Sequence, residues 1–233
     1  MKKSAFIDQF DQNKFNNFIL DNEVVGFFEK PVKLASGRES SWYVNWREVS
    51  GDVYLIDELT DFVLSFVEGL DIDLDCFYGT ADGATKLAVL CQYKWAKSRK
   101  DFAEGKYVLS MGRKVPKEHG EIKDKYFIGA PRGNILVLED VTTTGSSLIN
   151  AVKVLQKLNF KVTGALSLTD RNELTDKGLH VSQILAALGV RYYSMSNAID
   201  VLPKAVKKKK PARPVTDSIE EEFKKYGVDK IEL

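Results

Sequence analysis

The stretch NILVLEDVTTTGSSLINAVKVLQKLNFKVTGALSLTD, Asn134 to Asp170, decides the fold. Its apolar run Ile135–Leu138 reads as a buried strand, delivering Glu139 and Asp140 at its carboxyl end, followed by a hydroxyl-rich turn and a helix starting near Ser146. KVTGALSLTD is then the next strand. The same alternation extends in both directions. Upstream, DCFYGT reads as a strand, GATKLAVLCQYKWAKSRK as a helix and KYVLSMGRK as a strand; downstream, TDKGLHVSQILAALG reads as a helix and VRYYSMS as the last strand. Strands alternating with helices of this length indicate a doubly wound, mainly parallel α/β sheet. Right-handed crossovers place ligands at the carboxyl ends of its strands.

Outside this core, over residues 51–200, the pattern changes. From Ala5 to Asn22, Phe6, Phe10 and Phe18 recur at helical spacing before Gly26, predicting an amphipathic helix. VVGFFEKPVKLASGRESSWYVNWREVSGD, broken by Pro31, Gly37 and Gly51, predicts two or three short strands with a turn at Ala35 to Arg38, so residues 1–50 form a small α+β hood. Leu55, Leu59, Phe62 and Phe66 mark a helix ending near Gly69. Residues 201–233 form an extension, in which PVTDSIEEEFKKYGV predicts a last helix capped at Thr216 or Asp217.

Composition narrows the class. At 44% hydrophobic and 29% charged residues, 233 residues are enough for one ordinary globular core. The first twenty residues hold no apolar signal-peptide core and no run approaches a membrane span, so a cytoplasmic protein with no membrane partner is expected. Cys76 and Cys91 read as buried thiols, and with only two histidines at unrelated spacings there is no zinc pattern. A net charge of +1 gives no global footprint for nucleic acid, and Lys207–Lys210 reads as a solvated loop or helix end.

The exit of the strand at Ile135 carries the chemistry. A helix N-terminus offers free backbone N–H groups and about half a positive charge, and glycine lets a ligand approach the backbone closely. Gly145 with Thr143, Thr144, Ser146 and Ser147 therefore reads as a phosphate cradle. Glu139 and Asp140 would repel phosphate. They need hydroxyls that donate to them, or a Mg²⁺ ion riding on a second phosphate group. Together they specify a phosphorylated sugar, whereas a plain helix cap uses one hydroxyl and explains neither the acid pair nor the repetition.

VLEDVTTTGSS resembles the phosphoribosyl pyrophosphate (PRPP) binding signature of the type I phosphoribosyltransferases, which implies that fold. The segment Gly112–Lys125, GRKVPKEHGEIKDK, lacks helical or strand periodicity and concentrates cations. Within it, RKVPKEHGE resembles the catalytic loop of the orotate phosphoribosyltransferases. The resemblance implies catalytic roles for Lys117 first, with Lys114, Arg113 and His119 assisting, His119 also being placed to protonate pyrophosphate. It further implies a homodimer whose loops reach into the neighbouring site. LASGRESSWYVNWR resembles the family's serine-glycine-arginine motif and aromatic pair, carrying base contact to Tyr43 and Val44. LTDRNE places Arg171 where the family has an arginine for the orotate carboxylate, a task suited to a planar guanidinium.

What the resemblance implies is a glycosyltransferase that converts orotate and PRPP to orotidine 5′-monophosphate and pyrophosphate, with Mg²⁺ held mainly by PRPP. Glu139 and Asp140 would hold the ribose hydroxyls, Thr143–Ser147 the 5′-phosphate, and the small-residue loop containing Thr80 and Ala81 the pyrophosphate through backbone N–H groups. Two positions depart from the pattern: Ala35 and Gly83 stand where many members carry lysine, and Lys33 lies two residues before the first of them. A phosphoribosyltransferase for uracil or a purine, or a PRPP-sensing regulator without catalysis, are the competing readings. A chain of this length is expected to hold no decarboxylase domain beside the transferase.

Overall fold

Residues 9–34 and 36–233 are described by a computed structural model. Helix α1 (Gln12–Asp21) leads into the antiparallel hairpin β1 (Val25–Lys33) and β2 (Glu39–Val44), then α2 (Arg47–Gly51) and α3 (Val53–Glu68). Then come β3 (Cys76–Gly79), α4 (Thr85–Ser98), β4 (Met111–Gly112), α5 (Ile122–Tyr126), β5 (Phe127–Ile128), β6 (Asn134–Thr142) and α6 (Ser146–Lys157). The chain finishes with β7 (Lys161–Asp170), α7 (Val181–Ala187), β8 (Arg191–Asn197), α8 (Ala198–Lys209) and α9 (Arg213–Tyr226).

The main sheet has the order β3-β6-β7-β8, and every neighbouring pair in it is parallel. Because successive side chains of a strand face opposite sides, the continuous apolar runs of its strands require cover on both. Leu136 and Leu138 of β6 join Phe77, Leu166 and Leu168 in a cluster completed by α1, α3, α4 and α8. Ile135 and Val137 join Cys76 and Ala165 in a second cluster completed by α6 and α7. This is the expected doubly wound architecture, and both cysteines are buried and unpaired within it.

The hood is fused to that core. Phe15, Trp42 and Trp46 belong to the first cluster, and the Trp46 indole donates to Thr169 Oγ1 at the end of β7 (3.2 Å). Helix α9 returns to close the hairpin from outside, with Phe223 stacked near Trp42 at 6.2 Å between ring centroids. Among the described residues, no helix is long and apolar enough to cross a membrane.

Several expectations are corrected. Within the described residues the first helix begins at Gln12, where the Asp11 carboxylate caps it, accepting from the N–H groups of Asn13 and Lys14 (2.8 and 3.1 Å). Ala5, Phe6 and Ala35 lie outside the described residues. Of the strand expected over Lys106–Lys114, only Met111–Gly112 pairs, with β5 and not with the main sheet; at Gly112 the backbone lies against the Tyr78 hydroxyl. The segment Gly112–Lys125, expected to lack periodicity, contains the single turn α5. The helix expected over Thr175–Gly189 shrinks to α7, since Thr175–Gly178 closes a turn first and His180 supplies the cap. The last helix starts at Arg213, ahead of the expected cap at Thr216 or Asp217, with Pro214 in its first turn. Helix α8 had no sequence prediction, its pattern being interrupted by Pro203. Its basic end is a helix end, pinned to the end of α1 by Lys208 on Asp21 (2.6 Å) and Lys209 on Glu23 (3.3 Å).

Candidate active site

The carboxyl ends of β3 and β6 lie side by side, Gly79 in register with Leu138, so the loops leaving them meet. They are stitched together at once: Thr80 donates its hydroxyl to Glu139 Oε1 (2.7 Å), and both residues are buried. Burial, reinforced by the neighbouring Asp140, pushes the Glu139 carboxyl up to about 8. Asp140 is half-buried, and its Oδ1 accepts from the Val141 N–H (2.9 Å). Its other oxygen lies against Gly83, where a Cβ would stand 2.5 Å away. Glycine at 83 is therefore what lets the acid sit there.

The turn after β6 has the form of an anion site. Gly145 is the N-cap residue of α6 in the left-handed region (φ 77°), and a Cβ on it would meet Val181 of α7 at 2.3 Å. No side chain caps α6, so none of the turn's hydroxyls is used that way, and the first-turn N–H groups remain open to a ligand. Thr144 and Ser146 share a hydrogen bond at 3.0 Å.

These parts form one wall of a cleft of about 1060 Å³, whose opposite wall is the hood. Ala81, Gly83, Glu139, Asp140, Thr143, Thr144, Gly145, Ser146 and Ser147 line one side; Phe28, Tyr43 and Val44 line the other. The Tyr43 ring packs on Phe28 (4.7 Å) and lies over Gly26, where a Cβ would fall 2.1 Å from it. Thr80 stands behind the wall, its hydroxyl occupied by Glu139.

The cationic loop is divided. Lys114 alone of the four candidates lines the cleft, its Nζ held by Asp82 Oδ2 at 2.7 Å. Arg113 bonds back to Asp124 and Tyr126, and the Lys117 N–H donates to the Lys125 carbonyl (3.0 Å). Lys117 and His119 project into solvent, the His119 side chain 96% exposed. A single chain thus brings Lys114, but not Arg113, Lys117 or His119, to its own cleft.

Arg171 lies at the end of β7 on the cleft wall, 2% exposed, and its guanidinium is heavily engaged. Nε donates to Glu173 (2.7 Å), Nη2 to Glu222 (2.7 Å) and Ser40 (3.0 Å), and the group lies 3.7 Å above the Trp42 ring. Nη1 makes only a 3.5 Å contact, to the Trp42 carbonyl. Arg38 of the serine-glycine-arginine motif is likewise buried, on Glu173 (2.9 Å) and Asp176 (2.9 Å). Sequence reasoning missed Asp82, Lys86, Arg47 and the two acids that clamp Arg171. Glu173 stands inside the LTDRNE segment, but nothing local distinguishes Glu222 from Glu220 and Glu221.

No family model matches the chain. The orotate phosphoribosyltransferase of Bradyrhizobium diazoefficiens is 34% identical over 182 residues, covering 73% of this chain and 87% of that protein. The solved orotate phosphoribosyltransferase of Francisella tularensis superposes with a TM-score of 0.66 at 21% identity, over 92% of this chain and 99% of that one. That of Mycobacterium tuberculosis in complex with PRPP gives 0.54 at 18% identity, over 82% and 90%. The two structural likenesses establish the shared fold.

Proposed function

The chain belongs to the orotate phosphoribosyltransferase family, and on that footing we propose that it converts orotate and PRPP to orotidine 5′-monophosphate and pyrophosphate. The observation that carries this reading is the uncapped N-terminus of α6 beside the acid pair on one wall of the cleft. The 5′-phosphate would lie on the N–H groups and hydroxyls of Thr143–Ser147, and the ribose hydroxyls would donate to Asp140 and Glu139. The base would lie toward Tyr43 and Val44. The M. tuberculosis relative bound to PRPP supports the choice of sugar phosphate.

In the reaction, a ring nitrogen of orotate bonds to C1 of the ribose as the bond from C1 to the pyrophosphate oxygen breaks; pyrophosphate carries away the electron pair, and the proton of that ring nitrogen is released to pyrophosphate or water. No nucleophile from the protein is needed. The protein's share is positioning, water exclusion and stabilisation of charge on the departing group. Mg²⁺, coordinated mainly by PRPP oxygens, would neutralise part of that charge, and the carboxylates at the cleft suit a hydrated ion of this kind. Lys117 is the main loop cation in this reading, with Lys114, Arg113 and His119 assisting. The position of Lys117, Arg113 and His119 outside the chain's own cleft supports a homodimer in which the loop serves the neighbouring site. Arg171 faces the orotate carboxylate through whatever donor capacity Glu173 and Glu222 leave it. The setting proposed is cytoplasmic.

The test is PRPP-dependent loss of orotate absorbance, run beside uracil and hypoxanthine. Turnover of orotate alone is expected; turnover of a neutral base instead would overturn the assignment of the base. Lys117→Ala should lower turnover by about two orders of magnitude or more with folding intact. Mixing it with Asp140→Asn subunits should restore activity if loops act across a dimer.

A further inference from the structure

The two sequence-selected cations that line the cleft are already matched by acids. Lys114 is matched by Asp82, and Arg171 by Glu173 and Glu222. Three further cations line the same cleft: Lys33, Arg47 and Lys86. Among the described residues, none of them lies within ion-pair distance of a carboxylate. The acids left in the cleft are Asp140 and Glu139, and a carboxyl group raised to about 8 is largely neutral near pH 7.

Of the three, Lys86 has a defined place. It stands in the first turn of α4, three residues beyond Gly83, directly after the small-residue loop. Its ammonium reaches across to the rim of the hood and rests on the Ser50 carbonyl at 2.6 Å, a neutral partner that offsets none of its charge. Gly83 itself has no room for a side chain while Asp140 occupies its position, so a cation for this loop has to come from a neighbouring residue.

We propose that Lys86 is the pyrophosphate-binding cation of this cleft, exchanging the Ser50 carbonyl for an oxygen of the PRPP pyrophosphate group. This rests on the reading of the cleft as a PRPP site. The exchange replaces a neutral acceptor with an anionic one, and charge-assisted hydrogen bonds are the stronger kind.

The experiment uses pyrophosphate with Mg²⁺ as the probe, titrated calorimetrically into wild type, Lys86→Ala and Lys86→Arg, followed by steady-state kinetics. Lys86 is exposed, so circular dichroism and the thermal midpoint should be unchanged. Loss of one charge-assisted hydrogen bond predicts pyrophosphate affinity weaker by on the order of tenfold in Lys86→Ala, with Lys86→Arg within about threefold of wild type. The KM for PRPP should rise in parallel, with the KM for the base unchanged. Unchanged pyrophosphate affinity in Lys86→Ala, no pyrophosphate binding by wild type, or an equal rise in both KM values would each overturn the proposal. If the wild type binds pyrophosphate but does not consume orotate, the assignment of the base fails, and the titration still decides the role of Lys86.

Discussion

Replacing Glu139 with Gln should make the unliganded protein more stable at neutral pH. The Glu139 side chain is 6% exposed, and burial together with Asp140 raises its pKa from the usual 4.5 to about 8. Between those values the native state holds a proton that the unfolded chain has already released. Stability from this group is therefore complete below about pH 4.5 and falls as pH rises toward 8. At about 1.4 kcal/mol per pH unit the penalty is small near pH 4.5 and reaches at most about 3 kcal/mol at pH 7. Glutamine has the same shape, its carbonyl oxygen can accept the Thr80 hydroxyl, and it carries no titrating proton. Urea unfolding of both proteins from about pH 4.5 to about pH 8 should show a gap that widens as pH rises. A constant gap across that range, or a less stable variant at neutral pH, would refute the buried, proton-holding carboxyl. In the same variant the KM for PRPP should rise above about pH 8, where Glu139 is ionised and a carboxylate accepts ribose hydroxyls more strongly than an amide.

Two further predictions concern residues that the fold brings to the cleft. Glu222→Ala leaves Arg171 buried with one carboxylate fewer and should cost about 3 kcal/mol in urea unfolding; a loss under about 1 kcal/mol would show that the clamp contributes little. Gly83→Ala places a Cβ about where the Asp140 carboxylate lies, so it should lower kcat/KM for PRPP by roughly tenfold with little change in thermal midpoint. Wild-type kinetics in that variant would mean that Asp140 can rotate away without loss.

Much of this architecture was legible because its signals are local. An apolar run as long as Ile135–Leu138 must be covered on both faces, and Gly145 beside Ser146 marks a strand-to-helix turn. Helix α8 was hidden by Pro203, which is tolerated because α8 buries Val201, Leu202 and Ala205 in the core. The segment before β4 has strand-like residues but finds no ladder partner in the main sheet, and sequence cannot say whether a partner exists.

The site divides along the same line. Its acids and its phosphate turn are neighbours in the chain, so their chemistry could be read from their order. The state of its cations could not. Whether Lys114, Arg171 or Lys86 retains charge for a ligand depends on Asp82, Glu222 and the Ser50 carbonyl, groups supplied from other parts of the fold. A residue's type fixes what it can bind, while its free capacity is what remains after long-range packing has assigned its partners, and only the tertiary structure makes that assignment.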